Sequence, residues 1–313
     1  MKNDEVSLLD IIFDSLKFYD NDFVLQLLCY YNDKTTISIS DLIQQIDKFK
    51  ISKSTKYTNN NTDKYLINEC NKKEVNIYII KYLIEHGANI NKEDRKGETP
   101  LFNVCRNGNE IIVKYLVKHG ADVNKENKYG KTPLFDACFS GNEKIVKYIV
   151  EHGAEINKEI LNGETPLFEA CSSGNEAIVK YLVELGADIN KINNEGNTPL
   201  FNACKSGNEA IVKYLVEHGA EINKKGMKGE TPLFIVCRNG NEAIVKYLVE
   251  QGADINIANS VGYTSLFNAC YNGNETLIKY LVELGADINK TNNVDDTPLF
   301  NACYNGNEAI VNI

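Results

Sequence analysis

The sequence predicts an all-α solenoid, a stack of short helix pairs in which each pair contacts only its neighbours. The main observation is that residues 165–190 recur, little altered, every 33 residues, and a fixed period of this length is typical of stacked repeats. Each copy contains two short stretches with apolar residues at helical spacing, separated by a glycine. Helices this short do not persist alone in water, so stacking has to stabilise them. A solenoid can use all 313 residues in one continuous core.

The first helix of each copy begins at a Thr-Pro-Leu-Phe motif. Thr99 is a good N-cap, and Pro100 follows at the first helical position, where its missing N–H costs nothing. Leu101, Val104 and Cys105 then give a two-turn helix an apolar side. The motif recurs at Thr132, Thr165, Thr198, Thr231 and Thr297, and Thr264-Ser-Leu-Phe is the one variant.

The second helix has equally local start and stop signals. Gly108 ends the first helix, and Asn109 can cap the second. Gly120 is predicted to end the second helix as a left-handed C-cap, after which the chain passes through a turn at Gly130. The core stripe of this helix consists of Ile112, Val113, Leu116 and Val117.

The first 63 residues do not follow the period. Apolar residues at helical spacing predict helices over residues 6–19 and 23–31, and a further group around residues 39–46 predicts a third. The polar stretch at residues 52–62 predicts a linker or mobile loop. We expect residues 1–63 to form a helical cap over the apolar face of the first repeat, which solenoids need. A small targeting or partner-docking module is the alternative.

The repeats begin imperfectly at about residue 64. Residues 65–70 resemble residues 100–105, but Cys70 lies 11 residues before Lys81, whereas Cys105 lies 9 before Lys114. The first repeat, residues 64–98, is therefore degenerate and carries two extra residues near its helix–helix turn. Six full repeats follow over residues 99–296.

A partial repeat, residues 297–313, ends the sequence. Its second helix stops after about two turns, which leaves Leu299, Ile310 and Val311 with no following layer. A terminal repeat normally has a polar outer face, and this one lacks it. We expect either a truncated sequence or a last repeat that frays.

These residues closely resemble the ankyrin repeat. Thr-Pro-Leu, paired small residues, a glycine, an Ile-Val-rich helix and a Gly-Ala-Asp-x-Asn segment match that family's pattern across residues 99–296. The resemblance implies antiparallel helix pairs, with hairpin-like loops projecting at right angles, over a repeat domain of residues 64–313. Two departures are systematic. The family's histidine after Thr-Pro-Leu is a phenylalanine here, so we expect aromatic packing in place of the histidine's hydrogen bonds. The second small residue is cysteine where alanine is usual.

Seven of the nine cysteines occupy this single repeat position. Equivalent positions in stacked helices lie about 8–10 Å apart, and the Cα atoms of a disulfide are rarely more than about 7 Å apart. No Cys-x-x-Cys pair occurs, so no zinc ligand cluster is present. We expect small buried residues, with no metal site and no cofactor. The seven are Cys105, Cys138, Cys171, Cys204, Cys237, Cys270 and Cys303.

Composition excludes several classes of function. A net charge of −9 argues against a surface that neutralises phosphates, and hence against nucleic-acid binding. No run approaches the roughly 20 apolar residues that span a bilayer. Asp10 and Asp14 interrupt the apolar stretch near the start, which therefore does not resemble a signal peptide. We expect a monomeric cytoplasmic protein with no membrane insertion, and a nuclear location stays open.

Two columns of side chains along the second helices are predicted to be structural. Glutamate precedes lysine by four residues, which is the favourable orientation on a helix, and it cancels the charge of the lysine column. A tyrosine follows each lysine, at a position predicted to be half-buried. Because leucine or glutamine replaces the histidine before some C-capping glycines, these histidines are not candidate ligands or bases. With no catalytic motif in the chain, we expect no enzymatic activity. The pairs are Glu110/Lys114, Glu143/Lys147, Glu176/Lys180, Glu209/Lys213, Glu242/Lys246 and Glu275/Lys279.

Differences between the copies indicate positions that the fold does not dictate. They concentrate in the two residues after the cysteine and at the loop tips, surfaces that in the ankyrin family line a concave groove for partner proteins. Aromatic residues and methionine in such a groove are typical anchors of a protein-binding surface, although free drift at exposed positions would give the same pattern. The candidate partner-binding residues, all expected to be exposed, are Tyr129, Phe139, Ile160, Leu161, Met227, Val261, Tyr263 and Tyr271.

The sequence therefore predicts a non-catalytic scaffold that binds a partner protein through the groove of loop tips and first helices. The alternative is a regulatory or targeting adaptor in which residues 1–63 dock a second partner.

Overall fold

The computed structural model describes residues 62–85 and 87–304, and these residues form fifteen helices and no strand. The all-α solenoid is confirmed. The cap was predicted for residues 1–63, and only the last two of these residues are described. Residues 305–313 of the last repeat also lie outside the described part. The described residues fall into two compact units that divide between Asp122 and Val123.

The N-terminal unit contains four helices: α1 (Thr62–Cys70), α2 (Ile77–Glu85), α3 (Pro100–Arg106) and α4 (Glu110–Lys118). Each pair packs internally, and α1 packs against α3. The turn between α1 and α2 covers residues 71–76, longer than residues 107–109 between α3 and α4. Glu69 is buried and holds this longer turn, because its carboxylate accepts the backbone N–H of Asn76 at 3.0 Å and pairs with Lys72 at 2.6 Å.

The C-terminal unit contains eleven helices, in which the first helices of successive repeats make the most extensive contacts. The first helices at residues 133–140, 166–173, 199–206, 232–239 and 265–272 also pack on the second helix of their own repeat. The helices are α5 (Pro133–Ser140), α6 (Glu143–Glu151), α7 (Pro166–Ser173), α8 (Glu176–Glu184), α9 (Pro199–Ser206), α10 (Glu209–Glu217), α11 (Pro232–Asn239), α12 (Glu242–Glu250), α13 (Ser265–Asn272), α14 (Glu275–Glu283) and α15 (Pro298–Tyr304).

Helix starts and stops follow the predicted signals. Thr165 has the extended backbone of an N-cap residue before α7, with proline at the next position, but contrary to the prediction its side chain makes no capping hydrogen bond. The side chain of Asn175 caps α8 by accepting the backbone N–H of Ile178 at 3.1 Å. Gly186 follows α8 with a φ of +90°, a left-handed conformation that glycine adopts without a steric penalty. The asparagine cap and the glycine recur at the second helices of the other full repeats of this unit, whereas Ser265 replaces the proline after Thr264.

The core consists of the same residue positions in the layers from α3 to α14, whereas Leu299 and Phe300 of α15 are exposed. Leu167, Phe168 and Cys171 of α7 are at most 1% exposed and lie in one layer with Ile178 and Leu182 of α8. All eight described cysteines are free thiols, as the spacing predicted. Burial is confirmed for the repeat cysteines except Cys303, which is exposed on α15.

Asparagine side chains bridge consecutive repeats. Asn190 donates from Nδ2 to the carbonyl of Gly219 at 2.9 Å and accepts the N–H of Glu221 at 2.9 Å through Oδ1. One amide therefore satisfies a helix C-terminal carbonyl and a loop N–H of the next repeat. Equivalent bridges within one unit or the other begin at Asn91, Asn124, Asn157, Asn223 and Asn256.

The second helices carry a continuous polar and aromatic face. Lys180 pairs with Glu176 of its own helix at 2.5 Å and lies over the ring of Tyr214 in the next repeat, 5.5 Å from the ring centroid. This cation–π contact was not predicted. The half-buried tyrosine column is confirmed from Tyr115 to Tyr280, whereas Tyr82 is fully buried.

One predicted ion pair is wrong. Glu242 and Lys246 do not pair, because Glu242 accepts a hydrogen bond from Asn274 Nδ2 at 3.3 Å. The other five predicted pairs form at 2.5–3.8 Å. The histidines at the C-caps of α4, α6 and α10 each place Nδ1 2.7 Å from the carbonyl of the tyrosine four residues earlier.

Candidate functional site

Loop tips of the C-terminal unit are joined into one row by backbone hydrogen bonds. In each tip after the first, the middle residue donates its N–H to the carbonyl of the last tip residue in the preceding repeat, as Leu161 does to Tyr129 at 3.1 Å. Asn194 donates to Asn162 at 2.8 Å in the same way. We call residues 127–129, 160–162, 193–195, 226–228, 259–261 and 292–294 the loop-tip row. Because adjacent tips are bonded to each other, the positions of their outward side chains along the row are fixed relative to one another.

Each tip is also held internally. In most repeats its first residue is an asparagine whose Oδ1 accepts two backbone N–H groups, as Asn193 does from Glu195 and Asn197 at 3.0 and 2.9 Å. Asn193 is buried, so this position is dictated by the turn and is not free to vary as expected. Ile160 and Gly226 are the two exceptions in this unit.

Close packing against a following tip requires glycine at the end of the turn, whereas the last tip of the row ends in Asp295. Gly262 has a φ of +87°, and a Cβ atom there would lie 2.7 Å from the Cα of Asn292 in the next tip. No side chain fits at that distance. The glycine thus allows the backbones of two repeats to approach closely enough to bond.

Six of the eight candidate residues are exposed, as predicted. Leu161 and Met227 are the most exposed, at 73% and 74%. Tyr129 and Val261 also lie on the loop-tip row and are exposed, whereas Phe139 and Tyr271 are exposed near the ends of α5 and α13.

The expectation of exposure is wrong for Ile160 and Tyr263, which are half-buried. Ile160 occupies the turn position that asparagine takes elsewhere, and its Cα would lie 3.3 Å from a Cβ on Gly130 of the preceding tip. Tyr263 stacks on Phe267 with ring centroids 4.8 Å apart. Because both side chains pack against neighbouring residues, less of their surface is accessible to a partner.

A cleft of about 230 Å³ lies between two tips and the first helices behind them. Phe201 of α9 and Ile235 of α11 line it and are at most 1% exposed, so they form its floor. Among the apolar residues that line the cleft, Met227 is the most exposed. Lys205 and Arg238 extend from the C-terminal ends of the same two helices.

The charges around the cleft are mixed but not balanced. Arg238 pairs with Glu230 at 3.4 Å, and Glu195 accepts a hydrogen bond from Asn197 at 3.1 Å. Lys205 and Lys228 are exposed, and the ammonium group of neither has a partner among residues 62–85 and 87–304. The cleft therefore has an excess of positive charge in a chain whose net charge is −9.

A half-buried carboxyl lies on the first-helix face at Glu169 of α7. Burial raises the pKa of this carboxyl above its ordinary value, and Lys131, whose Nζ lies 3.8 Å away, lowers it only in part. Lys131 also lies over the ring of Phe135, 6.0 Å from its centroid.

Two residues of this surface were not among the candidates. Ile235 could have been found from the sequence, because the same position is polar in the other repeats. Val294, the last residue of the last tip, is 72% exposed. In the other repeats, the polar residues at the position of Ile235 are Asn103, Asp136, Glu169, Asn202, Asn268 and Asn301.

Within the described residues, no group of three or more His, Cys, Asp or Glu side chains could hold a metal ion. No helix in the same part of the chain is both long and apolar enough to cross a membrane.

Comparisons with known proteins agree with the geometry. A family model described as ankyrin repeats matches in three copies, over residues 66–160, 157–226 and 223–292. Among solved structures, the chain is similar to the human ASB11 ankyrin repeat domain, with a TM-score of 0.62 and 28% sequence identity. That match covers 70% of this chain and 96% of the other. No curated protein matches the sequence.

Proposed function

Because the chain belongs to the ankyrin repeat family, whose repeats are generally protein–protein interaction modules, we propose that it is a non-catalytic scaffold for a partner protein. The partner binds the loop-tip row and the adjoining ends of the first helices. In this proposal residues 64–313 form the binding domain, and the chain acts as a monomer.

The observation that carries the proposal is the bonded row of tips with apolar side chains directed to solvent. Tyr129, Leu161, Met227 and Val261 are 49–74% exposed on backbones that are fixed to one another. Because the backbone that presents these side chains is already fixed, binding does not require a loop to become ordered, which favours affinity. Large apolar and aromatic side chains of this kind are the usual anchors of a protein interface.

The face formed by the second helices is less suited to binding a partner. Lys147, Lys180 and Lys213 each pair with a glutamate of their own helix and lie over the tyrosine of the next repeat. A phosphate would have to compete with both contacts at every lysine. We therefore propose a protein partner and not a nucleic acid.

Affinity capture from the native cell tests the proposal. The bait chain is compared with a triple variant, Tyr129→Ala, Leu161→Ala and Met227→Ala, whose fold is checked by circular dichroism. A matched control, Ile111→Ala, Leu185→Ala and Leu284→Ala, removes three exposed apolar side chains from the second helices and their C-caps. We expect the control to recover the same partners as the parent chain, and the loop-tip variant to lose them. Unchanged recovery by the folded loop-tip variant would reject this surface.

A further inference from the structure

We propose that the cleft between residues 195 and 238 holds an acidic segment of the partner, with one large apolar side chain inserted over Ile235. This inference rests on the proposed function and specifies the chemistry of the partner. We call the site the Met227 cleft, after the exposed residue of its rim.

Three departures from the repeat pattern meet at this one place. Gly226 stands where most tips have a turn-forming asparagine, and Met227 is the only methionine among the middle tip residues. Ile235 is the apolar exception at a first-helix position that is polar in every other repeat. All three line the same cleft. Independent drift would distribute such changes over different repeats.

The departures also act together sterically. A Cβ atom on residue 226 would overlap Oδ1 of Asn197, which lines the cleft as well. Glycine leaves Asn197 in place, where its Nδ2 donates to Glu195 and holds that carboxylate at the rim. Ile235 then supplies an apolar floor beside Phe201, instead of the amide or carboxylate found there in other repeats.

The size of the cleft favours a side chain from a protein over a free small molecule. Its volume of about 230 Å³ is below the roughly 300–1,000 Å³ that is usual for small-molecule sites. A single leucine, methionine or aromatic side chain fits such a volume, and the exposed Met227 can cover it from the tip.

The charged residues of the cleft indicate which kind of partner residue flanks the inserted apolar side chain. The ammonium groups of Lys205 and Lys228 lie on the cleft without a partner among the described residues, while Arg238 pairs with Glu230. Glu195, which accepts a hydrogen bond from Asn197, offsets one of the two lysines, so the cleft keeps one positive charge in excess. An acidic segment would supply the missing partners, whereas a basic one would meet two free ammonium groups. Against a chain of net charge −9, this local excess selects an acidic partner in spite of long-range repulsion.

Peptide selection on the immobilised full chain tests the inference. Short random peptides displayed on phage are selected, and binding of the recovered sequences is measured by fluorescence anisotropy at low and high salt. We expect acidic residues around one large apolar residue, with affinity that falls as salt rises. The charge variant Lys205→Glu with Lys228→Glu should weaken binding by about tenfold or more. Ile235→Asn, which installs the residue of the neighbouring repeats, should also weaken it.

A matched control variant has the same change of net charge, but its substitutions lie away from the cleft. Lys118→Glu with Lys290→Glu alters two exposed lysines elsewhere and should bind the peptides like the parent chain. Recovery of neutral or basic peptides, or equal binding to the cleft charge variant, would overturn the inference. Peptides that lose binding with Tyr129→Ala and Leu161→Ala but not with the cleft variants would leave the proposed function standing and reject the cleft. A selection that recovers no peptide would reject the cleft as a site for a partner segment, whereas the proposed function is rejected only by the affinity-capture experiment.

Discussion

Four threonine hydroxyls at the starts of first helices are buried without a hydrogen-bond partner in the described part of the chain: Thr99, Thr132, Thr165 and Thr198. Each precedes a Pro-Leu-Phe sequence whose phenylalanine is buried. The resemblance to the ankyrin family predicted that the hydrogen bonds of a histidine would be missing here. Aromatic packing fills the space, but it leaves the hydroxyls unsatisfied, which costs free energy in a buried site.

Replacing such a hydroxyl should therefore not destabilise the protein. Thr165→Val keeps the shape of the side chain and removes an unsatisfied polar group, so we expect the free energy of unfolding to stay level or rise by up to about 1 kcal/mol. Thr231 differs, because its Oγ1 accepts the N–H of Phe234 at 3.3 Å. Thr231→Val should lower the free energy of unfolding by about 1 kcal/mol. Urea unfolding of both variants measures the contrast, and equal losses would contradict it.

The asparagine bridges give a second prediction for a single residue. Asn190→Ala removes two hydrogen bonds to the next repeat and leaves the carbonyl of Gly219 and the N–H of Glu221 without that partner. We expect a loss of about 2 kcal/mol in the free energy of unfolding. Asn289 occupies the same repeat position but makes no such bridge to a described residue, so Asn289→Ala should cost less than about 0.5 kcal/mol. Similar losses for the two variants would show that the bridges do not stabilise the stack.

Helix limits were predictable because their causes are local. Thr-Pro at the start, asparagine between the helices and a left-handed glycine at the end each act within a few residues. Side-chain burial at the tips was less predictable, because it depends on the adjacent repeat. Ile160 packs against the preceding tip, and Glu242 accepts a hydrogen bond from Asn274 of the next repeat instead of pairing with Lys246. Neither contact between repeats nor competition for one carboxylate is visible in a single copy of the pattern.

Helix α7 carries a carboxyl whose ionisation opposes folding. Burial raises the folded-state pKa of Glu169 above its unfolded value, so its contribution to stability is fully present at acidic pH and is lost as pH rises through the folded pKa. Glu169→Gln should consequently have little effect near pH 4 and raise the free energy of unfolding at pH 7, by less than about 1 kcal/mol.

The control for this pH dependence is Glu176→Gln on the neighbouring helix α8. It removes an exposed ion pair with Lys180 and should give no gain on going to neutral pH. Urea unfolding across the pH range compares the two variants. A Glu169→Gln variant that becomes less stable than the parent chain at neutral pH would show that the contact with Lys131 outweighs burial.

At the scale of the whole molecule, the repeated cysteine places one thiol in each layer of the stack. Burial raises the pKa of the Cys138, Cys171 and Cys204 thiols well above the ordinary value, and raises that of Cys237 and Cys270 to about 12. Because the thiolate is the reactive form, these side chains are inert until their repeat opens. Each thiol therefore reports the local opening of its own layer.

A solenoid has interfaces only between neighbouring repeats, so a repeat near the end loses its contacts at a lower free energy than a central one. We expect a thiol reagent to modify Cys303 at once in native buffer, because it is exposed on α15. At denaturant concentrations below the midpoint, Cys270 and Cys237 should react next, and Cys204 and Cys171 should react last. Mass spectrometry of proteolytic fragments assigns each modification to its residue. Simultaneous modification of all the buried thiols would instead show that the repeats open as one cooperative unit, with interfaces strong enough to suppress fraying from the C-terminal side.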